Sequence, residues 1–262
     1  EGGQAGEGSE GEEAKDRSRI AAVGAGSREE GPELTHLDHG GFVILRRADW
    51  RVIFRYPRFR FRPGQCDALH VDLWHGGRNV LRDGGSYGYH AGEGWRAYFT
   101  GPAAHNTLAC DDRDPMPALG RFLRGEWLEA EGVACGTDEA GAPTAEAAYT
   151  DWQGVRHRRW VRVDGDGLVV RDEIGGFRER AVLRWRLMPG AWEQVECGAG
   201  VRCGDYELRV TADVPIRRQE LVEGWESRYY LEKTALPVLE VEVGEAAALE
   251  SRLTVVAGRE GQ

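Results

Sequence analysis

From Gly41 onward, apolar and polar residues alternate with a period of two, the pattern of half-buried β-strands. The stretch GFVILRRADWRVIFRYPRFRF predicts two strands that turn around Ala48 and Asp49. In ALHVDLWHGGRNVLRD, Leu69, Val71 and Leu73 share one face, while His70, Asp72 and Trp74 share the other. His75-Gly76-Gly77 then predicts a hairpin turn into a second strand. VRHRRWVRVDGDGLVVRDEI repeats the design around Asp164-Gly165-Asp166-Gly167, and AVLRWRL, YELRVTA, SRYYLEK, PVLEVEV and SRLTVVA carry it to the C-terminus. No window carries an apolar period of 3.6, so no helix is expected. Many short strands at steady spacing with glycine-rich turns predict an all-β fold, a large antiparallel β-sandwich over residues 35–262.

Residues 1–34 break the pattern. They are rich in Glu, Gly and Ser, and no aromatic residue precedes Phe42. Such a segment buries too little apolar surface to offset its ordering entropy, which predicts a disordered acidic tail or linker. With no Met at its start and no basic-then-apolar leader, the chain reads as processed or as a fragment of something longer.

Charge narrows the function classes. A net charge of -10 argues against nucleic-acid binding, which needs a basic stripe. No run of eighteen apolar residues is present, so no transmembrane helix is expected. The basic residues are almost all Arg, with only Lys15 and Lys233 as exceptions, and guanidinium forks suit carboxylate ligands. Faces bearing Arg156, Arg158 and Arg162, or Arg184 and Arg186, read as solvated, with a concave sheet that meets an anionic ligand as the alternative. The five cysteines (Cys66, Cys110, Cys135, Cys197 and Cys203) have no CxxC spacing; small buried thiols are expected, with a Cys197–Cys203 hairpin disulfide as the alternative.

The candidate chemistry gathers in RDGGSYGYHAGEGWRAYFTGPAAHNT, residues 82–107. Asp83 precedes two glycines that permit a tight turn, and His105 stands where the chain re-enters a strand. A carboxylate and an imidazole at neighbouring strand ends suit a shared metal or a proton relay, although two ligands are incomplete for zinc. Tyr87, Tyr89 and Tyr98 offer phenols and Arg96 a fixed cation. Elimination beside a uronate needs that pairing, a proton shuttle with a masked carboxylate. His70 shares a face with Asp72 and is a weaker site candidate; His36, His39, His75, His90 and His157 read as structural or exposed. The run Asp111-Asp112-Arg113-Asp114 reads as a solvated turn.

CDALHVDLWHGGRNVLRDGGSYGY followed by WRAYFTGPAAHNTLACDDRDP resembles the C-terminal β-sheet domain of the heparinase II/III-like polysaccharide lyases. The AHNT and DGGSY elements carry the likeness, which extends over roughly residues 40–256. The resemblance implies that the sandwich pairs with an N-terminal α/α toroid to cleave acidic polysaccharide by β-elimination in a bacterial periplasm or envelope. It also implies that a toroid Tyr and a sandwich His move the proton. A structural zinc held by His, Asp and His is implied too, with Asp83 and His105 as its second and third ligands. The first ligand falls at Gln65, whose amide is a poorer ligand, and the assisting His falls at Pro63, which carries no base. The resulting expectation is the sandwich domain of such a lyase, with His105, Tyr87, Tyr89, Arg96 and Tyr98 at its site. The alternative is a non-catalytic carbohydrate-binding or toroid-stabilising module.

Overall fold

The computed structural model describes residues 31–195 and 200–256. Most of the expected tail, and Cys197 with its possible partner bond to Cys203, lie outside the described residues.

The alternating segments pair as antiparallel sheets. One sheet has five strands in the order Leu34–Leu37, Phe42–Arg47, Trp50–Arg55, Val71–His75 and Arg78–Leu81. A second has four: Ile216–Glu226, Thr234–Val243, Ala181–Arg186 and Leu108–Cys110. A third has eight, running Glu193–Gln194, Gly200–Cys203, Tyr206–Ala212, Ala247–Val255, Gly167–Gly175, Arg156–Val163, Pro143–Thr150 and Glu131–Thr137. The first two meet edge to edge, because Arg82 N–H donates to the Arg186 carbonyl and Met188 N–H to the Val80 carbonyl, each at 2.9 Å. Together they form one layer, and the eight-stranded sheet forms the other.

One apolar core joins the layers. It takes Leu45, Val52 and Phe54 from the first sheet, Leu183, Trp185 and Val241 from the second, and Val161, Val170 and Leu253 from the third. Each such side chain contributes roughly 1.5–3 kcal/mol on burial. Trp185 Nε1 also donates to Ser251 Oγ across the layers at 2.9 Å. The Gly76-Gly77 turn forms as expected, with both glycines at positive φ (54° and 82°), the geometry that matches strand twist. Cys66 and Cys110 are small buried thiols, and burial pushes each up to about 12. Among the described residues no helix is long and apolar enough to cross a membrane.

Four expectations need correction. The second predicted strand stops at Arg55, before Pro57, and PRFRF is not a strand. SRYYLEK is the turn between Ile216–Glu226 and Thr234–Val243. A helix, α1 (Glu93–Thr100), sits in the candidate loop. Its Trp95, Tyr98 and Phe99 do follow i, i+3, i+4 spacing, but eight residues are too few for a period to emerge. Finally, Arg186 is fully buried rather than solvated, because its strand is covered on both faces.

Candidate functional site

The AHNT segment lies where the sheets meet, and each of its last three residues has a distinct task. Asn106 bonds to each of the three larger sheets. Its Nδ2 donates to the Val71 carbonyl at 2.8 Å, its Oδ1 accepts from Arg186 N–H at 2.6 Å, and its own carbonyl accepts from Arg159 at 2.6 Å. Thr107 Oγ1 donates to the Ala68 carbonyl at 2.8 Å. His105 faces Asp83, with Nδ1 2.7 Å from Oδ2. Asp83 reaches that position because Gly84 and Gly85 let the loop run close to its neighbours. A Cβ on Gly84 would stand 2.8 Å from the Ala104 carbonyl, and one on Gly85 would stand 2.2 Å from the Ser227 carbonyl.

His70 completes the cluster. Ligand-type atoms of His70, Asp83 and His105 all fall within 4.8 Å of one another. His70 Nδ1 accepts the Asn106 peptide N–H at 2.9 Å, and its Nε2 lies 3.8 Å from Asp83 Oδ2. Burial pushes His70 down to about 3, so the ring is neutral at ordinary pH. Burial opposes ionisation of Asp83, but His105 beside it and the Gly85 N–H at 2.6 Å outweigh this and hold the carboxyl well below its usual range. Gln65 is engaged elsewhere: its Nε2 donates to Ser86 Oγ at 3.2 Å. The second histidine of the cluster is therefore His70, whose strand-face pairing with Asp72 gave only a weak hint.

A second His–Asp pair lies in the eight-stranded sheet. His157 Nε2 stands 2.7 Å from Asp172 Oδ1, and the Arg159 guanidinium grips both Asp172 oxygens at 2.7 and 3.0 Å. His157, Arg159 and Asp172 are all fully buried, so the structural reading of His157 holds.

Two cavities flank the DGGSYG loop. One, of about 420 Å³, is lined by Gln65, Tyr89 and Arg96 together with Arg55, Asp67, Arg121 and Phe122. The other, of about 270 Å³, is lined by Asp83, Asp72, Trp74, Arg82, Glu226 and Arg228. Tyr89 is 58% exposed and stands 5.5 Å, ring to ring, from Phe122 and 6.0 Å from Tyr230. Arg96 has Glu93 of its own helix at 3.6 Å. Tyr87 and Tyr98 line neither cavity. Tyr87 packs on Phe99 and, with Trp95 and Trp225, surrounds the Lys233 ammonium, which sits 4.5 Å from the Trp95 ring. The Tyr98 hydroxyl accepts from Arg186 at 2.9 Å and from the Trp225 N–H at 2.8 Å. His105 is fully buried and borders neither cavity.

The acidic run at 111–114 is more structural than a solvated turn. Asp111 accepts the N–H groups of Arg178, Glu179 and Arg180, Arg113 pairs with Asp151, and Asp114 pairs with Arg124. Sequence reasoning missed Arg121 and Phe122. Their signal is an apolar run between arginines, LGRFLRGEW, that follows no alternation. It also missed the burial of Arg159, which falls in phase with Val161 and Val163 and so shares their inward face.

The family model for the heparinase II/III-like C-terminal domain matches residues 29–236. Among solved structures, a heparinase III with methylated lysines is 18% identical with a TM-score of 0.73, over 86% of this chain and 36% of its own. The heparan sulfate lyase HepC of Pedobacter heparinus is 16% identical with a TM-score of 0.71, over 95% of this chain and 41% of its own. A further heparinase III is 17% identical with a TM-score of 0.70, over 86% and 37%. At these identities the likeness shows the fold. The chain spans only 36–41% of the length of these structures. No curated protein matches the chain by sequence.

Proposed function

Because the chain belongs to the heparinase II/III-like family through its C-terminal domain, we propose that it forms the sandwich half of a polysaccharide lyase. The substrate is a uronate-bearing acidic polysaccharide, cleaved by β-elimination, and an α/α toroid supplies the opposite wall. Heparan sulfate, named for one similar structure, heads the candidate substrates.

The observation that carries this reading is the 420 Å³ cavity, where Arg96 and Arg121 stand with Tyr89 and Phe122. Abstracting the proton beside a carboxylate builds negative charge on that carboxylate, and fixed guanidinium groups stabilise it as it forms. Arg96 and Arg121 take that role. Tyr89 presents a solvated phenol on the same wall and serves proton transfer or ring stacking against the sugar. Tyr87 and Tyr98 act as supports, the first in the Lys233 cage and the second pinned by Arg186 and Trp225. Asp83 and His105 organise the loop between the cavities. No step runs through a metal.

The test uses the longer protein that carries the toroid, offered a panel of uronate polymers and followed by the ultraviolet absorbance of the unsaturated product. The reading expects product from at least one polymer and loss of it in Arg96→Ala and Arg121→Ala. Absence of product from every polymer rejects it. The exposed Tyr89, Tyr229 and Tyr230 favour a second reading, a non-catalytic carbohydrate-binding or toroid-stabilising module. That module would bind an acidic glycan, or the toroid, without making product.

A further inference from the structure

His70, Asp83 and His105 are the residue types of a zinc site, and family membership implies zinc here. The hydrogens of the cluster are arranged the opposite way. A zinc ligand turns a lone pair inward, and a ligating histidine donates its other N–H outward to a carbonyl or carboxylate. His70 does the reverse. Its Nδ1 faces the Asn106 peptide N–H at 2.9 Å, and a peptide N–H only donates. In the neutral ring Nδ1 is therefore the bare nitrogen, and Nε2, 3.8 Å from Asp83 Oδ2, carries the hydrogen.

The other groups follow the same polarity. His105 Nδ1 meets the same Asp83 oxygen at 2.7 Å as a donor, and Gly85 N–H meets the other oxygen at 2.6 Å. To ligate zinc through Nε2, His70 would need its proton on Nδ1. Two donors would then oppose each other at 2.9 Å in a seam where Asn106 is fully buried. Gln65, at the position of the family's first ligand, donates its Nε2 to Ser86 and offers only an amide oxygen, a poorer zinc ligand than imidazole. Asp83 and His105 alone leave the zinc shell half made.

We propose that this cluster is a metal-free hub in which N–H groups converge on the Asp83 carboxylate, doing by hydrogen bonding what zinc does in the family. The His105 N–H bonds one carboxylate oxygen and the loop amide closes on the other, while the His70 Nε2–H lies 3.8 Å from the first without bonding to it, and the acid's open edge faces the smaller cavity.

The proposal is tested on the whole chain, first without substitutions and then as His105→Ala. Two-bond ¹H–¹⁵N spectra of the histidine rings should show His70 as the Nε2–H tautomer and His105 with its hydrogen on Nδ1. After dialysis against zinc and desalting, the protein should hold far less than one zinc per chain, and its melting temperature should be the same with zinc or chelator. A His70 proton on Nδ1 overturns the proposal. So does one zinc per chain that is lost in His105→Ala together with a zinc-dependent melting temperature. Zinc that survives in His105→Ala is bound elsewhere, and the His70 tautomer then decides the matter.

Discussion

His157 and His105 each place a ring nitrogen 2.7 Å from a carboxylate, and both rings are sealed from solvent. Their acids differ. The Asp172 side chain is wholly buried, while that of Asp83 is 38% exposed and opens onto a cavity. Their third partners differ as well. Asp172 is gripped by the full charge of Arg159, whereas Asp83 is held by His105 and the Gly85 amide, with the neutral His70 at 3.8 Å. Arg159 also donates to the Leu69 and Asn106 carbonyls, the backbone that positions His70 and His105. The sealed pair is thus the foundation of the open one. Two pairs with the same length and residue types are told apart by where the carboxylate opens and by what charge stands behind it.

Breaking the foundation has the largest effect. Asp172→Asn leaves the Arg159 charge buried without its partner and should cost about 3–5 kcal/mol. In a domain of this size the melting temperature should fall by roughly 10 °C, since each kcal/mol shifts it about 2–4 °C. A loss under about 1 kcal/mol would make the two pairs equivalent, contrary to the comparison. The same pair sets an acid limit. Burial alone would raise Asp172, but Arg159 and His157 outweigh it and hold it below its ordinary value. A depressed folded value means the stabilisation is present above the unfolded carboxyl range and is lost as pH falls through the folded one. Acid unfolding of wild type should therefore be steep below about pH 4, the unfolded aspartate range. The ΔG-against-pH slope there should be shallower in Asp172→Asn.

Next comes the link between the pairs. Asn106→Ala strips partners from the Val71 carbonyl and the Arg186 N–H, both buried, at about 1–3 kcal/mol for each group left unpaired. The urea midpoint should drop accordingly. Asp83→Asn should cost less, about 1–2 kcal/mol, because the open acid can be partly resolvated. Its defect should instead appear in binding of acidic oligosaccharides. Arg96→Ala marks the small end for stability, within about 0.5 kcal/mol, since its only ion pair among the described residues is a surface contact with Glu93 at 3.6 Å. Calorimetry should nonetheless show about tenfold weaker binding of a uronate oligomer, in line with one lost charge-assisted hydrogen bond.

The alternation from Gly41 onward makes most of the sandwich legible, because each strand has a face turned to the common core. What stays hidden follows from elements that lack such a face. Helix α1 is too short for its Trp95, Tyr98 and Phe99 to form a period. SRYYLEK alternates like a strand but turns back at Tyr230, where Leu231 N–H donates to the Tyr87 carbonyl. At the site, Asp83 and His105 can be placed from their flanking glycines and strand start. His70 cannot, because its value depends on an Asn106 peptide 36 residues away. Arg186 looks solvated for the same reason: its partners Tyr98, Ala103 and Trp225 come from distant segments.

The most direct test of the division between foundation and site compares Asp83→Asn and Asp172→Asn for binding of an acidic oligosaccharide, by calorimetry, at a temperature where both remain folded. Asp83→Asn should show a clear loss of affinity despite its smaller stability defect. Asp172→Asn should keep near-normal affinity per folded molecule despite the larger one. Equal affinity loss in the two variants, or loss in Asp172→Asn alone, would contradict that division.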